Sequence, residues 1–306
     1  MNEQHEFKIR NPFLVIIWSF GLFILMYIIQ YLGILLASLM SGASFNSIIS
    51  GKFENHLTIL GMGLNALIFG IPIVFLIIKY LWRRKIEWIC LRLNLRLFSY
   101  GALLGLILPM IIVIILLIFG SATITSNHSR FTFIEIGSAF IGYLGLAIFT
   151  GLVEETVFRG MAAREIAVKW GWVVAAIISG IYFGLAHLLT NIQDLSILQI
   201  LWIILGSILV GFLFTAMLVC SKSLWLPIGF HIGWNYSLKA FLGTTISGNE
   251  SNFGILHTEL NGFNLLTGGE FGLELSIVSL AFYILVTILL LKYSKKSKIE
   301  LLSSKP

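Results

Sequence analysis

Charge is what this chain has least of. Only 11% of its 306 residues are Asp, Glu, Lys or Arg, and Asp194 is its single aspartate. Soluble domains carry about 25% charge and about 45–50% apolar residues. Here 58% are hydrophobic and the mean hydropathy is +0.96. An ordinary soluble enzyme, a disordered chain and a nucleic-acid binder are thereby excluded. One aspartate rules out an intramembrane protease built on two. Cysteine is nearly absent as well. Cys90 and Cys220 have no CxxC or zinc-knuckle spacing and fall on the same predicted side, so no disulfide is expected. The HExxH zinc motif is missing, because His5-Glu6 is followed by Ile9 where the second histidine is needed. No GxSG serine motif occurs.

What is present is hydrophobic length. A helical span needs about 20 mostly apolar residues. Eight segments qualify, at 12–40, 57–79, 97–119, 136–158, 171–190, 198–220, 227–244 and 273–291. The first, behind His5, Lys8 and Arg10, is longer than the roughly 7–15 residues of a signal peptide's apolar core, and reads as a retained helix. The fold class expected is therefore all-α: a polytopic membrane bundle of about eight helices, forming one integral domain over 1–306. No repeat of 20–50 residues is visible.

Lys and Arg orient the bundle. With a cytoplasmic N-terminus, the inner segments hold 17 of the 20 basic residues. Lys52 and Arg130 fall outside, and Lys239 lies within the seventh span. The outer loops carry Glu54, Glu135, Asp194, Glu250, Glu259 and Glu270. By the positive-inside rule both termini are cytoplasmic. Trp82–Arg96 reads as an amphipathic anchor on the inner leaflet, and Lys295-Lys296-Ser297-Lys298 as a stop-transfer signal.

In so apolar a chain, a polar residue inside a span is costly and marks a function. Spans one to three hold little beyond Asn65 and glycines, so they read as scaffold. Span four ends in Glu154-Glu155-Thr156-Val157-Phe158-Arg159-Gly160; span five holds Phe183-Gly184-Leu185-Ala186-His187; span seven holds His231-Ile232-Gly233-Trp234-Asn235. Counted from a turn at Gly171, Glu155 and His187 are both 16 residues away, so an antiparallel hairpin sets them level. Glu155 and Arg159 are spaced i, i+4 and can pair, as can His231 and Asn235 project together. Glu154 is turned about 100° away and stays available. Arg159 and Arg164 are expected near the headgroups or facing the cavity. Gly180/Gly184 and Gly229/Gly233 form small-xxx-small pairs, expected to draw the polar helices together. His56, His128 and His257 read as solvated loop residues, and the loop 245–272 either packs on the bundle or dips into it.

A carboxylate beside a neutral histidine can activate water, and a second histidine with an asparagine can donate to a developing oxyanion. Glu154, His187 and His231 can equally ligate a divalent metal such as zinc. The residues alone leave both open.

Glu-Glu-x-x-x-Arg, Phe-x-x-x-His and His-x-x-x-Asn, in this order on successive helices across a core of about 150–236, resemble the CPBP family of CAAX prenyl endopeptidases and bacteriocin-processing (Abi) proteins. Thr267-Gly268-Gly269-Glu270-Phe271-Gly272 looks like a feature of its bacterial branches. The resemblance implies an intramembrane endopeptidase. It implies Glu154 as catalytic carboxylate, His187 as its partner in positioning water, and His231 and Asn235 as oxyanion donors. Glu155, Arg159 and Phe183 would support them. Members are often labelled metalloproteases, although a metal-free glutamate mechanism is also advocated; Asn235, a better oxyanion donor than metal ligand, favours no cofactor. The expected partners are the lipid bilayer and a membrane-associated, sometimes lipidated, peptide or protein, not nucleic acid. The expected location is a bacterial plasma membrane. A non-catalytic scaffold or bacteriocin-immunity protein is the alternative. A proton-coupled transporter fits less well, since no inverted repeat is visible.

Overall fold

A computed structural model describes residues 11–41, 55–82, 87–188, 195–249 and 251–293. The expectations resting on His5, Lys8, Arg10, Lys52, Glu54, Asp194, Glu250 and the Lys295–Lys298 tail lie outside these residues. Each of the eight apolar segments falls on helix. These are α1 (Pro12–Ser41), α2 (56–82), α3 (Leu95–Ile118), α4 (Phe133–Glu154), α5 (Arg164–Leu188), α6 (Ile197–Ser221), α7 (Trp225–Tyr236) and α8 (Ile277–Tyr293). Among the described residues four stretches are long and apolar enough to cross a membrane: His56–Tyr80, Leu95–Ile118, Phe133–Leu188 and Ile197–Ser221. The third doubles back at Gly171, where φ 81° and ψ 165° suit a residue without Cβ.

The helix of the fourth segment does not stop near 158, as hydropathy suggests. A π-helical stretch, Glu155–Ala163, carries α4 into α5, and all of its residues are buried. The segment expected as an inner loop, 159–170, is thus helical. Residues equidistant from Gly171 do meet: the rings of Phe158 and Phe183 lie 5.1 Å apart. Helix α1 lies along this hairpin, with Phe13 edge-on to Trp170 at 5.8 Å and Phe20 against Tyr182 at 5.7 Å.

Lipid tails are as apolar as leucine, so close approach rather than hydrophobic burial holds such helices together. Helices α3 and α7 touch through glycine on both sides. A Cβ on Gly101 or Gly105 would strike the carbonyl of Leu226 or Phe230; one on Gly229 or Gly233 would strike that of Phe98 or Ala102. Gly229 and Gly233 therefore seat α7 on the scaffold helix α3, not on the other polar helices as expected. They stand about 200° around the helix from His231, which leaves the histidine face turned to α4. Gly180 does serve a polar helix, lying against the backbone of Ser207 and Ile208 in α6.

Opposite the Gly171 end, the sequence reading missed a small β-ribbon. Strands β1 (Ala122–Ser126) and β2 (Leu256–Leu260) pair antiparallel, Ala122 opposite Leu260. Buried Asn127 reaches the carbonyls of Asn252 and Gly254 at 3.0 and 2.9 Å. The loop 245–272 both packs on the bundle and dips into it. Beyond β2 its end enters beside α6, where Leu273 and Leu275 are buried and the Trp202 indole donates to the Leu275 carbonyl at 3.0 Å. The outer histidines are engaged rather than simply solvated. His257 pairs with Glu259 at 3.2 Å, His56 stands 3.9 Å from Glu135, and His128 packs on Phe133.

At the other end, Trp88 to Leu91 dock into the bundle. Ile89 and Leu91 are buried, the Leu224 amide donates to the Cys90 carbonyl at 2.9 Å, and the Trp225 indole donates to the Leu91 carbonyl at 3.1 Å. Half of the expected leaflet anchor is thus held by protein. Cys90 and Cys220 are both free thiols.

Candidate active site

The motif residues gather where α4, its π-helical extension, α5 and α7 converge. Glu155 and Arg159 are completely buried, and Arg159 Nη1 donates to Glu155 Oε1 at 3.0 Å. His231 Nδ1 meets the same oxygen at 3.0 Å. A carboxylate held against a guanidinium has no proton to give, so Nδ1 carries the hydrogen. His231 Nε2 then faces Glu154, 3.9 Å from its Oε2. Glu154 is thus distinct from Glu155, as their 100° offset requires: one carboxylate is bonded twice, the other stands beside the ring.

Arg159 is not at a headgroup. Its guanidinium lies 4.9 Å from the Phe183 ring centre, 4.7 Å from Phe214 and 5.8 Å from Phe158, which makes the aromatic rings its remaining neighbours. Arg164 is also away from solvent, part-buried against the Cys90 thiol and the Trp88 ring.

His187 is placed by its own helix. Its Nδ1 lies 2.9 Å from the Phe183 carbonyl one turn earlier, and its ring is 4.2 Å from the Phe183 ring. Phe183 thus touches both Arg159 and His187, and ties the hairpin's second leg to its first. From the far side comes Phe271, whose ring centre lies 6.4 Å from that of His187. The small-residue turn of 267–272 brings it there.

Asn235 is the least buried of the set. Its Nδ2 donates to Thr150 Oγ1 at 3.1 Å, and its Oδ1 has no hydrogen-bond partner among the described residues. Thr150 was missed by the sequence reading. The signal was there: a hydroxyl in an apolar helix, one turn before Glu154. Phe214, stacked on His231 at 5.5 Å, was missed too, and nothing in its apolar surroundings distinguishes it.

Among the described residues, no three of His, Cys, Asp and Glu converge as a metal site requires. Glu155 and His231 Nδ1 are spent on one another, and His187 Nδ1 on its own helix. The expected ligand set of Glu154, His187 and His231 does not fit a metal in this arrangement, and no chemistry is routed through one here.

No curated protein matches the chain significantly. Residues 136–237, from the body of α4 to the end of α7, match the family model described as Rce1-like, type II CAAX prenyl endopeptidase. The match covers Glu154, Glu155, Arg159, Phe183, His187, His231 and Asn235 together, and with it the chain belongs to the Rce1-like family, a family of proteases.

Proposed function

We propose that this protein is an intramembrane endopeptidase, hydrolysing a peptide bond in a membrane-associated, lipidated or unlipidated, protein tail. The observation that carries the reading is the division of labour between adjacent carboxylates. Glu155 is neutralised by Arg159 and His231, while Glu154 stands 3.9 Å from the His231 ring without a hydrogen bond to it.

In this reading a water sits between Glu154 and His187. Glu154 takes its proton as the oxygen attacks the scissile carbonyl carbon. The carbonyl oxygen gains the negative charge and is met by Asn235 Nδ2, which has a second hydrogen beyond the one given to Thr150. His231 Nε2 adds a second donor when the ring carries both protons, since Nδ1 is committed to Glu155. Collapse of the tetrahedral intermediate breaks the C–N bond, and Glu154 returns its proton to the departing amine. Preorganised donors of this kind in a water-poor site contribute about 10²–10³-fold each, and a positioned general base about 10²–10⁴-fold.

The eight helices are then eight spans with both termini on the cytoplasmic side, supported by the distribution of basic residues, and the bilayer is a bacterial plasma membrane. The test uses purified protein and a panel of lipidated and unlipidated peptides. Wild type should cleave some of them. Glu154→Ala should lose cleavage while keeping its melting temperature. Full activity in a folded Glu154→Ala protein sinks the reading. A cellular phenotype that survives Glu154→Gln with His187→Ala would favour the scaffold or immunity role instead.

A further inference from the structure

Lys239 is the basic residue that neither topology nor the motif accounts for. It lies in the π-helical continuation of α7, Ser237–Leu242, inside an apolar segment where a charged side chain is expensive. Three turns of α7 address α4 in succession. His231 meets Glu155 and Glu154, Asn235 meets Thr150, and the Lys239 ammonium lies 5.9 Å from the Tyr143 ring centre. Its side chain therefore lies on the same side of α7 as the catalytic groups, further along the groove between the two helices.

The ammonium forms no ion pair within 4 Å among the described residues. Glu274 is the carboxylate that acts on it electrostatically, and it acts on His231 as well. That carboxylate is held elsewhere, accepting from the Ser247 amide at 2.8 Å and the Ser247 hydroxyl at 2.7 Å. A cation in an apolar wall, aligned with the oxyanion donor and lacking a direct counter-ion, is built to receive an anion.

We propose that Lys239 binds the free C-terminal carboxylate of the substrate. The inference rests on the endopeptidase reading and narrows its substrate class to protein tails cut close to their end. The spacing sets the length. Tyr143 precedes Glu154 by 11 residues along α4, so the ammonium lies roughly 10–16 Å from the reacting centre. An extended chain covers about 3.3–3.6 Å per residue. Three to four residues therefore lie between the scissile carbonyl and the terminal carboxylate. A cut after the cysteine of a terminal Cys-a-a-X sequence releases three.

The experiment uses a fluorescein-labelled peptide ending in S-farnesyl-Cys-Val-Ile-Ser, made as free acid and as C-terminal amide, with the full-length protein in detergent. Binding is measured by anisotropy on Glu154→Gln, and cleavage on wild type. The acid should bind roughly tenfold or more tighter than the amide, as expected for a charge-assisted bond in a water-poor site. Lys239→Met in the Glu154→Gln background should bind the two alike, and Lys239→Arg should keep part of the preference. Size-exclusion profiles and melting temperatures confirm that each variant is folded. Equal binding of acid and amide by Glu154→Gln, or a preference that survives Lys239→Met, overturns the assignment. Absence of cleavage by wild type counts against the hydrolase reading instead, and the binding comparison still decides Lys239.

Discussion

Arg159 Nη1 and His231 Nδ1 share one acceptor, Glu155 Oε1, at 3.0 Å each. This shared oxygen joins α7 to the α4–α5 hairpin through wholly buried charge. Removing one member of such a unit strands the other. Glu155→Ala should cost about 3–5 kcal/mol, because the arginine is left unpaired. Glu155→Gln, which keeps an acceptor, should cost less. Adding Arg159→Met to Glu155→Gln should recover part of the loss. Thermal unfolding in detergent measures all three. A Glu155→Ala protein that melts like wild type would remove the ion pair from the account of stability.

Thr150 should matter to catalysis more than to folding. Its hydroxyl donates to the Leu146 carbonyl at 3.0 Å, so towards Asn235 it can only accept. That fixes which end of the amide is the donor. Thr150→Val keeps the shape and removes the acceptor. It should lower kcat about tenfold or more with little change in KM, and Thr150→Ser should restore it. Equal activity in Thr150→Val would mean that Asn235 is oriented by something else.

The glycine seam between α3 and α7 should tolerate no side chain. Gly105→Ala or Gly233→Ala places a methyl against backbone, and backbone cannot rotate away. Each should destabilise by about 1–3 kcal/mol. Gly137 in α4 has nothing within 4 Å of an added Cβ, so Gly137→Ala should be neutral or stabilising by up to about 1 kcal/mol. Melting temperatures of the three variants should separate accordingly.

The Ser247–Glu274 clamp should control the inward-dipping loop. Besides these two bonds, the Gly248 amide donates to the Phe271 carbonyl at 2.9 Å, next to the ring that approaches His187. Glu274→Gln weakens the charge-assisted pair by about 1–2 kcal/mol. Amide exchange across 243–276 should then quicken while α3 and α6 stay protected. Unchanged exchange in the loop would show that apolar packing of Leu273 and Leu275 holds it unaided.

Much of the fold was legible because hydrophobic length and lysine–arginine placement are local signals. So was the pairing across Gly171, which needs only counting. The Glu155–Arg159 pair was readable from i, i+4 spacing. What was not readable depends on neighbours distant in sequence. The helix through 159–170 looks polar enough to be a loop until Phe183 and Phe214 enclose Arg159. Strands β1 and β2 are five residues each and about 130 residues apart, so neither carries a strong pattern alone. A glycine pair states that a close contact exists, but not with which helix; Gly229 and Gly233 turned out to face α3. Thr150 needed a partner from α7 to acquire meaning.

The one-turn spacing of Glu155 and Arg159 also bears on how the protein is made. A lone arginine or acid at mid-helix costs about 2.5–3.5 kcal/mol at the translocon. Here the helix carries its counter-ion with it, so the segment enters lipid as a net neutral unit before any later helix has been synthesised. His231 arrives some 70 residues afterwards and finds Glu155 already ordered. Insertion is therefore uncoupled from assembly of the site: the N-terminal half can reside in the bilayer without the catalytic constellation, which closes only when α7 docks.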